Sequence, residues 1–248
     1  MTSAKKIALI TGANRGIGLE TARELAKKGI HVIIGVRSKD SGEKTVAAFK
    51  SLSASYVILD VTKTADHKNA FDYIEKEFGH LDILVNNAGV YLDNLDASNS
   101  KPNQTSTTSL EVIRRTFDAN FFGVIALTQT MLPLIKKAPT GRIVNLSSIL
   151  GSQTLHSDPN SMIYESKAFA YNSSKVALNA FTIHLAHELK DTNIKVNSAH
   201  PGWVKTDMGG AGAMMEVTDG AQTSFSLALL PDSGPTGGFF HRGQILPW

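Results

Sequence analysis

Tyr171, Asn172, Ser173, Ser174 and Lys175 open a run with helical periodicity that continues through Val176, Leu178, Phe181 and Leu185. Residues four apart on a helix share a face, so the Tyr171 phenol and the Lys175 ammonium address one space. A free phenol has a pKa of about 10 and is a poor acid–base group at neutral pH. A neighbouring ammonium favours phenolate and is expected to bring that value down. Taken alone, Tyr-x3-Lys is equally a core tyrosine beside a solvated lysine. Asn145-Leu146-Ser147-Ser148 ends an apolar strand and offers two hydroxyls, one to hold a carbonyl oxygen and one to cap the strand. Asn120 sits in the apolar stretch Phe117–Gly123, where an amide must find partners or cost stability.

A second chemical signal lies near the start. The apolar run Ile7–Ile10 leads into Thr11-Gly12-Ala13-Asn14-Arg15-Gly16-Ile17-Gly18, and a helical pattern follows. A glycine turn between strand and helix lets backbone approach a pyrophosphate, with unpaired N–H groups aimed at the charge. The spacing Gly-x3-Gly-x-Gly is not the general dinucleotide fingerprint, and the Gly-Lys-Ser/Thr of a Walker loop is missing. By itself the turn is compatible with an ordinary strand-to-helix connection. Asn86-Asn87-Ala88-Gly89 ends another apolar run, and its small residues permit close approach to a cofactor or merely make a turn.

These residues need a frame. Strands are expected at Ile7–Thr11, His31–Val36, Tyr56–Asp60, Ile83–Asn86, Arg142–Ser147, Ile194–Ser198 and Phe239–Leu246. Helices are expected near Gly16–Lys28, Gly42–Ser51, Ala65–Phe78, Leu110–Lys137, Ala168–Lys190 and Asp219–Leu229. Continuous apolar strands alternating with amphipathic helices predict one α/β domain over 1–248, with a doubly wound, mostly parallel, seven-stranded sheet. Three long connections, 90–109, 149–166 and 200–217, leave the carboxyl edge, where such sheets bind ligands.

Composition narrows the classes. The chain has 248 residues, no cysteine and a net charge of +3, with its basic residues scattered rather than massed. Disulfides and thiolate sites are excluded, and no nucleic-acid partner is expected. The segment before the first strand is too short and polar for a signal peptide, and the continuous apolar stretch Phe121–Leu127 is far below a membrane span. A cytoplasmic protein without a membrane partner is the expectation. His184, His187 and Glu188 imitate a metal pair, but no third ligand is evident and no metal is expected.

In order, the glycine turn, Asn-Asn-Ala-Gly, helix asparagine, strand-end serines, Tyr-x3-Lys and Pro201-Gly202 resemble the short-chain dehydrogenases/reductases over nearly the whole chain. Asn120-Phe121-Phe122-Gly123, Pro201-Gly202-Trp203-Val204-Lys205-Thr206-Asp207-Met208 and Leu227–Pro231 resemble the carbonyl reductase branch. The resemblance implies a Rossmann fold and reversible hydride transfer between a nicotinamide and a carbonyl/alcohol pair. It implies Tyr171 as the acid, Lys175 on the nicotinamide ribose, Ser148 on the carbonyl, and Asn120 holding a proton-relaying water. It also places Asp60 and Val61 by the adenine, Asn87 and Gly89 by its ribose, and Val204 and Thr206 by the nicotinamide amide, with Ala88, Pro201 and Gly202 among the cofactor contacts.

The NAD-type acid after the second strand is absent, and Arg37 stands there instead; guanidinium suits a 2′-phosphate. With Asn14 and Arg15 nearby, NADP(H) is expected. Tyr91, Ile149, Tyr164, Trp203, Met214 and Met215 are candidates for an apolar wall around a small-molecule carbonyl substrate. Glycines 209, 210 and 212 would let that last loop close as a lid. The Ser148-to-Tyr171 interval is intermediate for the family, shorter than in monomeric animal carbonyl reductases, and leaves monomer and oligomer both open; a homo-oligomer, dimer or tetramer, through the helices 110–137 and 168–190 is the expectation. A 3-ketoacyl or hydroxysteroid-type reductase, and a non-catalytic NADP-binding redox sensor, are the rival readings.

Overall fold

A computed structural model of the chain describes residues 5–93, 105–210 and 212–248; the first four residues, Ala211 and part of the 90–109 connection lie outside them. Strands β1 (Ile7–Thr11), β2 (His31–Val36) and β4 (Ile83–Asn86) form where the apolar runs predict them. With β3 (Ala54–Ile58), β5 (Gly141–Leu146), β6 (Ile194–Ala199), β7 (Phe239–His241) and β8 (Gln244–Ile245) they make one sheet ordered 3-2-1-4-5-6-7-8. Pairing is parallel from β3 through β7. The strand order reverses direction between β1 and β4, and ligands of such sheets bind outside that point.

Alternate residues of each strand feed two cores. Ile7 and Leu9 pack with Ile74, Leu127, Met131 and Leu185. Ala8 and Ile10 pack with Ala22, Leu25 and Leu227 on the other face. The first core is covered by helices α3 (Thr64–Phe78), α5 (Gly123–Lys137) and α7 (Phe169–Glu188), the second by α1 (Gly16–Lys27) and α8 (Val217–Ala228), while the short α6 (Gln153–Ser157) lies in the connection between β5 and α7. Continuous apolar strands are the expected consequence of burial on both faces.

Four expectations are corrected. The last strand is a hairpin, so the sheet has eight strands: Phe240 pairs with Ile245 and His241 with Gln244 around Arg242 and Gly243, both at positive φ. Such a turn twists as the flanking strands do, which is why two residues suffice. The third strand begins and ends two residues early, because Asp60 turns the chain: its carboxylate accepts from Thr62, and its own N–H donates to Asp66. Helix α2 (Lys39–Ala47) starts earlier than expected, where the Ser38 hydroxyl caps Ser41 N–H.

The helix expected over 110–137 is instead α4 (Leu110–Phe117) and α5, joined through a π-helical turn at Asp118–Phe122. Counted as one, this 28-residue run is long and apolar enough by composition to cross a membrane, contrary to the reading from continuous apolar stretches. Half of its most apolar window is buried inside the fold.

Candidate active site

The glycine turn is bolted to the end of β4. Thr11 Oγ1 accepts from the N–H groups of Asn87 and Ala88 at 3.0 and 2.9 Å, and Asn87 Nδ2 donates to Thr11 O at 2.7 Å. Gly12 and Gly16 have φ of +63° and +56°, a region that favours glycine. A Cβ on Gly18 would lie 2.4 Å from Asn87 Nδ2, so helix α1 can begin this close only without a side chain. Asn87 therefore braces the turn.

Beside this junction lies a cleft of about 1320 Å³. Gly12, Asn14, Arg15, Gly16, Ile17 and Gly18 line one wall; Arg37, Asp60 and Val61 line the end beyond β2. Asn87, Ala88, Gly89 and Thr206 close it toward β4 and the 200–217 loop. Arg37 is exposed and makes no ion pair among the described residues. Burial works against the Asp60 carboxylate, but hydrogen bonds from Thr62 and the charges of Lys63 and Arg37 outweigh it and hold its pKa low. Arg15 is engaged: its Nη1 lies 2.5 Å from Asp207 Oδ2, a bond that spans the cleft mouth between two exposed side chains.

Behind the wall formed by Gly89 and Leu146, and not themselves lining the cleft, Tyr171 and Lys175 stand one turn apart on α7, both buried. Ser148 lies beside the Tyr171 phenol and favours its ionised form. Ser148 Oγ accepts from Leu150 N–H. Ser147 is the structural member of the pair, donating to Asn179 Oδ1 at 2.7 Å. Lys175 Nζ donates to Leu146 O at 2.7 Å and lies 5.6 Å from the Tyr171 ring centroid. A Cβ on Gly89 would meet Asn120 Oδ1 at 3.1 Å and Lys175 Nζ at 3.7 Å, so the β4 wall, the amide and the amine converge.

The electrostatics correct the expectation of an acidic phenol. Burial pushes the Tyr171 phenol up to about 12, with Ser148 opposing and Tyr91 adding to the rise. Burial pushes the Lys175 ammonium down to about 8. Desolvation outweighs the mutual influence of the pair, so each group is driven toward its neutral form.

Asn120 is fully buried, and its amide is spent on protein. It accepts from Val90 N–H at 2.8 Å and donates to Val90 O at 2.9 Å and Ser174 Oγ at 3.0 Å. The side chain thus clamps the strand β4 exit to α7, and the π-helical turn at Asn120 gives it the reach.

The 200–217 loop is internally tied. Met214 and Met215 N–H donate to Trp203 O, Lys205 N–H donates to Met215 O, and Trp203 Nε1 donates to Gly209 O at 2.9 Å. Val204 is buried, and a Cβ on Gly202 would overlap Met215 Sδ, so Pro201-Gly202 packs under that methionine. Trp203 and Met214 are exposed at 53% and 78%, rim rather than closed wall. Tyr91 packs against Tyr171 with ring centroids 5.0 Å apart. Tyr164 lies under Lys167 Nζ at 4.5 Å, and Ile149 opens the 3-10 turn after Ser148. Among the described residues no cluster suits a metal, and His184 and His187 form none.

Three contributors escaped the sequence reading. Thr11 reads as an ordinary strand residue, although its hydroxyl joins turn to strand. His200 is buried, and its Nδ1 accepts from Ile149 N–H and Gly202 N–H, tying the Ser148 turn to the 200–217 loop. Burial and then His241 push its pKa down to about 3, which keeps that nitrogen an acceptor. Asp93 sits in a polar loop and carries no motif.

Residues 6–216 match the short chain dehydrogenase family. The chain belongs to that family. This short-chain dehydrogenase is 31% identical over 288 aligned positions to "Carbonyl reductase [NADPH] 1" of Mus musculus, with both chains covered completely. It is 33% identical to "(-)-isopiperitenone reductase" of Mentha piperita, with 99% of each chain covered. Among solved structures, NADPH-bound carbonyl reductase from chicken fatty liver superposes with a TM-score of 0.83 at 27% identity, covering 98% of this chain and 94% of that one. The dehydrogenase is thus an oxidoreductase of the carbonyl reductase-like branch, with a single Rossmann-like domain.

Proposed function

We propose that this dehydrogenase reduces a ketone or aldehyde to the alcohol with NADPH, on apolar substrates. The observation that carries the reading is the buried Tyr171, one helical turn from Lys175, whose Nζ donates to Leu146 O and lies behind Gly89, both residues of the cleft wall. The residues fit the cofactor: a cleft of about 1320 Å³, glycines that let the turn pack tightly on Asn87 and Ala88 at its wall, and an exposed Arg37 guanidinium that makes no ion pair among the described residues. When bound, NADPH supplies the hydride. Arg37 and Asn14 would hold the 2′-phosphate end, with Arg15 joining by leaving Asp207. Asp60 and Val61 would flank the adenine, and Asn87, Ala88 and Gly89 its ribose. Pro201, Gly202, Val204 and Thr206 would hold the nicotinamide side.

Tyr171 donates its proton to the carbonyl oxygen, and Ser148 holds that oxygen within reach. Burial keeps the phenol protonated over the physiological range, so the proton is in place, but as a weak acid it leaves only as charge develops on the carbonyl oxygen. Lys175 anchors the ribose end of the cofactor and supports the phenol once it has given up its proton. The names of the relatives support NADPH and a carbonyl substrate, and the exposed Trp203, Met208 and Met214 support an apolar one. Oligomerisation through α4, α5 and α7 belongs to the same proposal, with Leu110 and Ile183 exposed there.

The test is a panel of ketones and aldehydes assayed with NADPH and NADH, with Tyr171→Phe alongside. Carbonyl-dependent NADPH consumption abolished in Tyr171→Phe, with cofactor binding kept, supports the reading. A panel with no turnover, yet with tight NADPH binding, transfers it to the redox-sensor rival.

A further inference from the structure

Helix α7 carries the phenol but lacks a cap of its own. Ala168 precedes it with no side-chain hydrogen bond, and its first turn has no acidic residue. Unpaired N–H groups at a buried helix start are costly and need an acceptor from elsewhere. That acceptor arrives from the loop after β4. Asp93 Oδ1 accepts from Ala170 N–H at 2.9 Å, and Oδ2 accepts from Tyr171 N–H itself at 3.0 Å. The carboxylate is 7% exposed and lies 77 and 78 residues away in sequence.

We infer that Asp93 is a positioning residue for the reaction, fixing Tyr171 against the cofactor wall by gripping its backbone. The inference rests on Tyr171 being the proton donor. Two straps join the same two elements. Val90 is held to α7 through Asn120 and Ser174; three residues on, Asp93 holds the first turn of α7 directly. Gly89, immediately before the straps, forms part of the cleft wall. The distance from cleft to phenol is therefore set by the β4 exit rather than by α7 alone. Tyr91, between the straps, packs on the Tyr171 ring and limits its rotation. A cap placed locally in α7 would satisfy the same N–H groups without fixing the phenol to the cleft.

The experiment compares wild type, Asp93→Ala and Asp93→Asn for kcat, carbonyl KM, NADPH dissociation constant and amide exchange at Ala170 and Tyr171. Sub-ångström to 1 Å misplacement of a reacting group costs up to about 100-fold in rate. Asp93→Ala is expected to lower kcat roughly 30-fold, with KM and the NADPH constant changed less than about threefold. Asp93→Asn, a good cap with a single acceptor oxygen, should recover part of that loss. Exchange should quicken at those two amides in Asp93→Ala. A wild-type kcat per folded molecule in Asp93→Ala, or unchanged exchange, overturns the inference. So does a loss of kcat matched by an equal loss of NADPH affinity, which would mark general loosening. A wild type inactive on every carbonyl would instead remove the reading of Tyr171, and the inference with it.

Discussion

Replacing Lys175 by Met should abolish reduction and yet stabilise the fold near neutral pH. Lys175 is 5% exposed, and burial lowers its pKa from 10.5 to about 8. Each pKa unit is worth about 1.4 kcal/mol, so burying the charged amine costs the folded state about 3 kcal/mol. Met fills a similar volume without the charge, but Leu146 O loses its donor, a loss of about 1 to 2 kcal/mol. The net gain is about 1 to 2 kcal/mol, which for a domain of this size raises Tm by about 2 to 8 °C.

The pH dependence gives the sharper test. A lysine with a depressed folded pKa is protonated in both states below about pH 8, so its cost is present in full there. Between about 8 and 10.5 the unfolded chain binds the extra proton, and wild-type stability rises with pH. Urea midpoints at pH 7, 8, 9 and 9.5 should show the advantage of Lys175→Met shrinking steadily. Stopping below pH 10 keeps the Tyr171 phenol out of the measurement. A variant less stable than wild type at pH 7, or an advantage that ignores pH, would refute desolvation as the dominant force.

Arg37→Asp should weaken NADPH binding at least tenfold while leaving NADH nearly unchanged, measured by fluorescence titration; equal losses would remove the 2′-phosphate assignment. Asp207→Ala frees Arg15 from an exposed pair worth up to about 1 kcal/mol, so NADPH should bind up to about fivefold tighter. Unchanged affinity would mean that Arg15 does not reach the cofactor. Ser148→Ala should lower kcat on the order of 100-fold with little change in the NADPH constant, checked by steady-state kinetics.

The fold was legible because its signals are local: apolar strands of four to six residues, one glycine turn, and helical periodicity between them. What the sequence concealed depends on distant partners. Asn120 could be recognised as an amide needing partners, but not that Val90 and Ser174 would claim it or that a π turn would deliver it. Asp93 is one of several polar residues in its loop, and only the packed fold puts it at the head of α7. The turn at Arg242 and Gly243 was readable in the polar run His241–Gln244, but Phe239-Phe240 before it and Ile245-Leu246 after it read together as one strand. Spacing could also bring Tyr171 and Lys175 to one face, yet it carried no information about how far water is excluded from them.

That last point decides the chemistry of the pair. Four-residue spacing predicts a phenol acidified by its amine; burial predicts two groups held neutral, and the Lys175 proton is directed at Leu146 O rather than at the phenol. The two accounts differ by several units in where Tyr171 ionises. Titration of the cofactor-free protein by phenolate absorbance, wild type minus Tyr171→Phe, separates them without any turnover. Burial requires that Tyr171 contribute no phenolate signal by pH 10, whereas an amine-acidified phenol would titrate well below that. The sign matters for direction as well. A proton donor must hold its proton until the carbonyl oxygen takes it, so a high phenol pKa leaves reduction flat with respect to this group from about pH 6 to 9. Alcohol oxidation needs the phenolate and should climb across the same range. Phenolate appearing near neutral pH in the titration would return the advantage to the amine and place desolvation second.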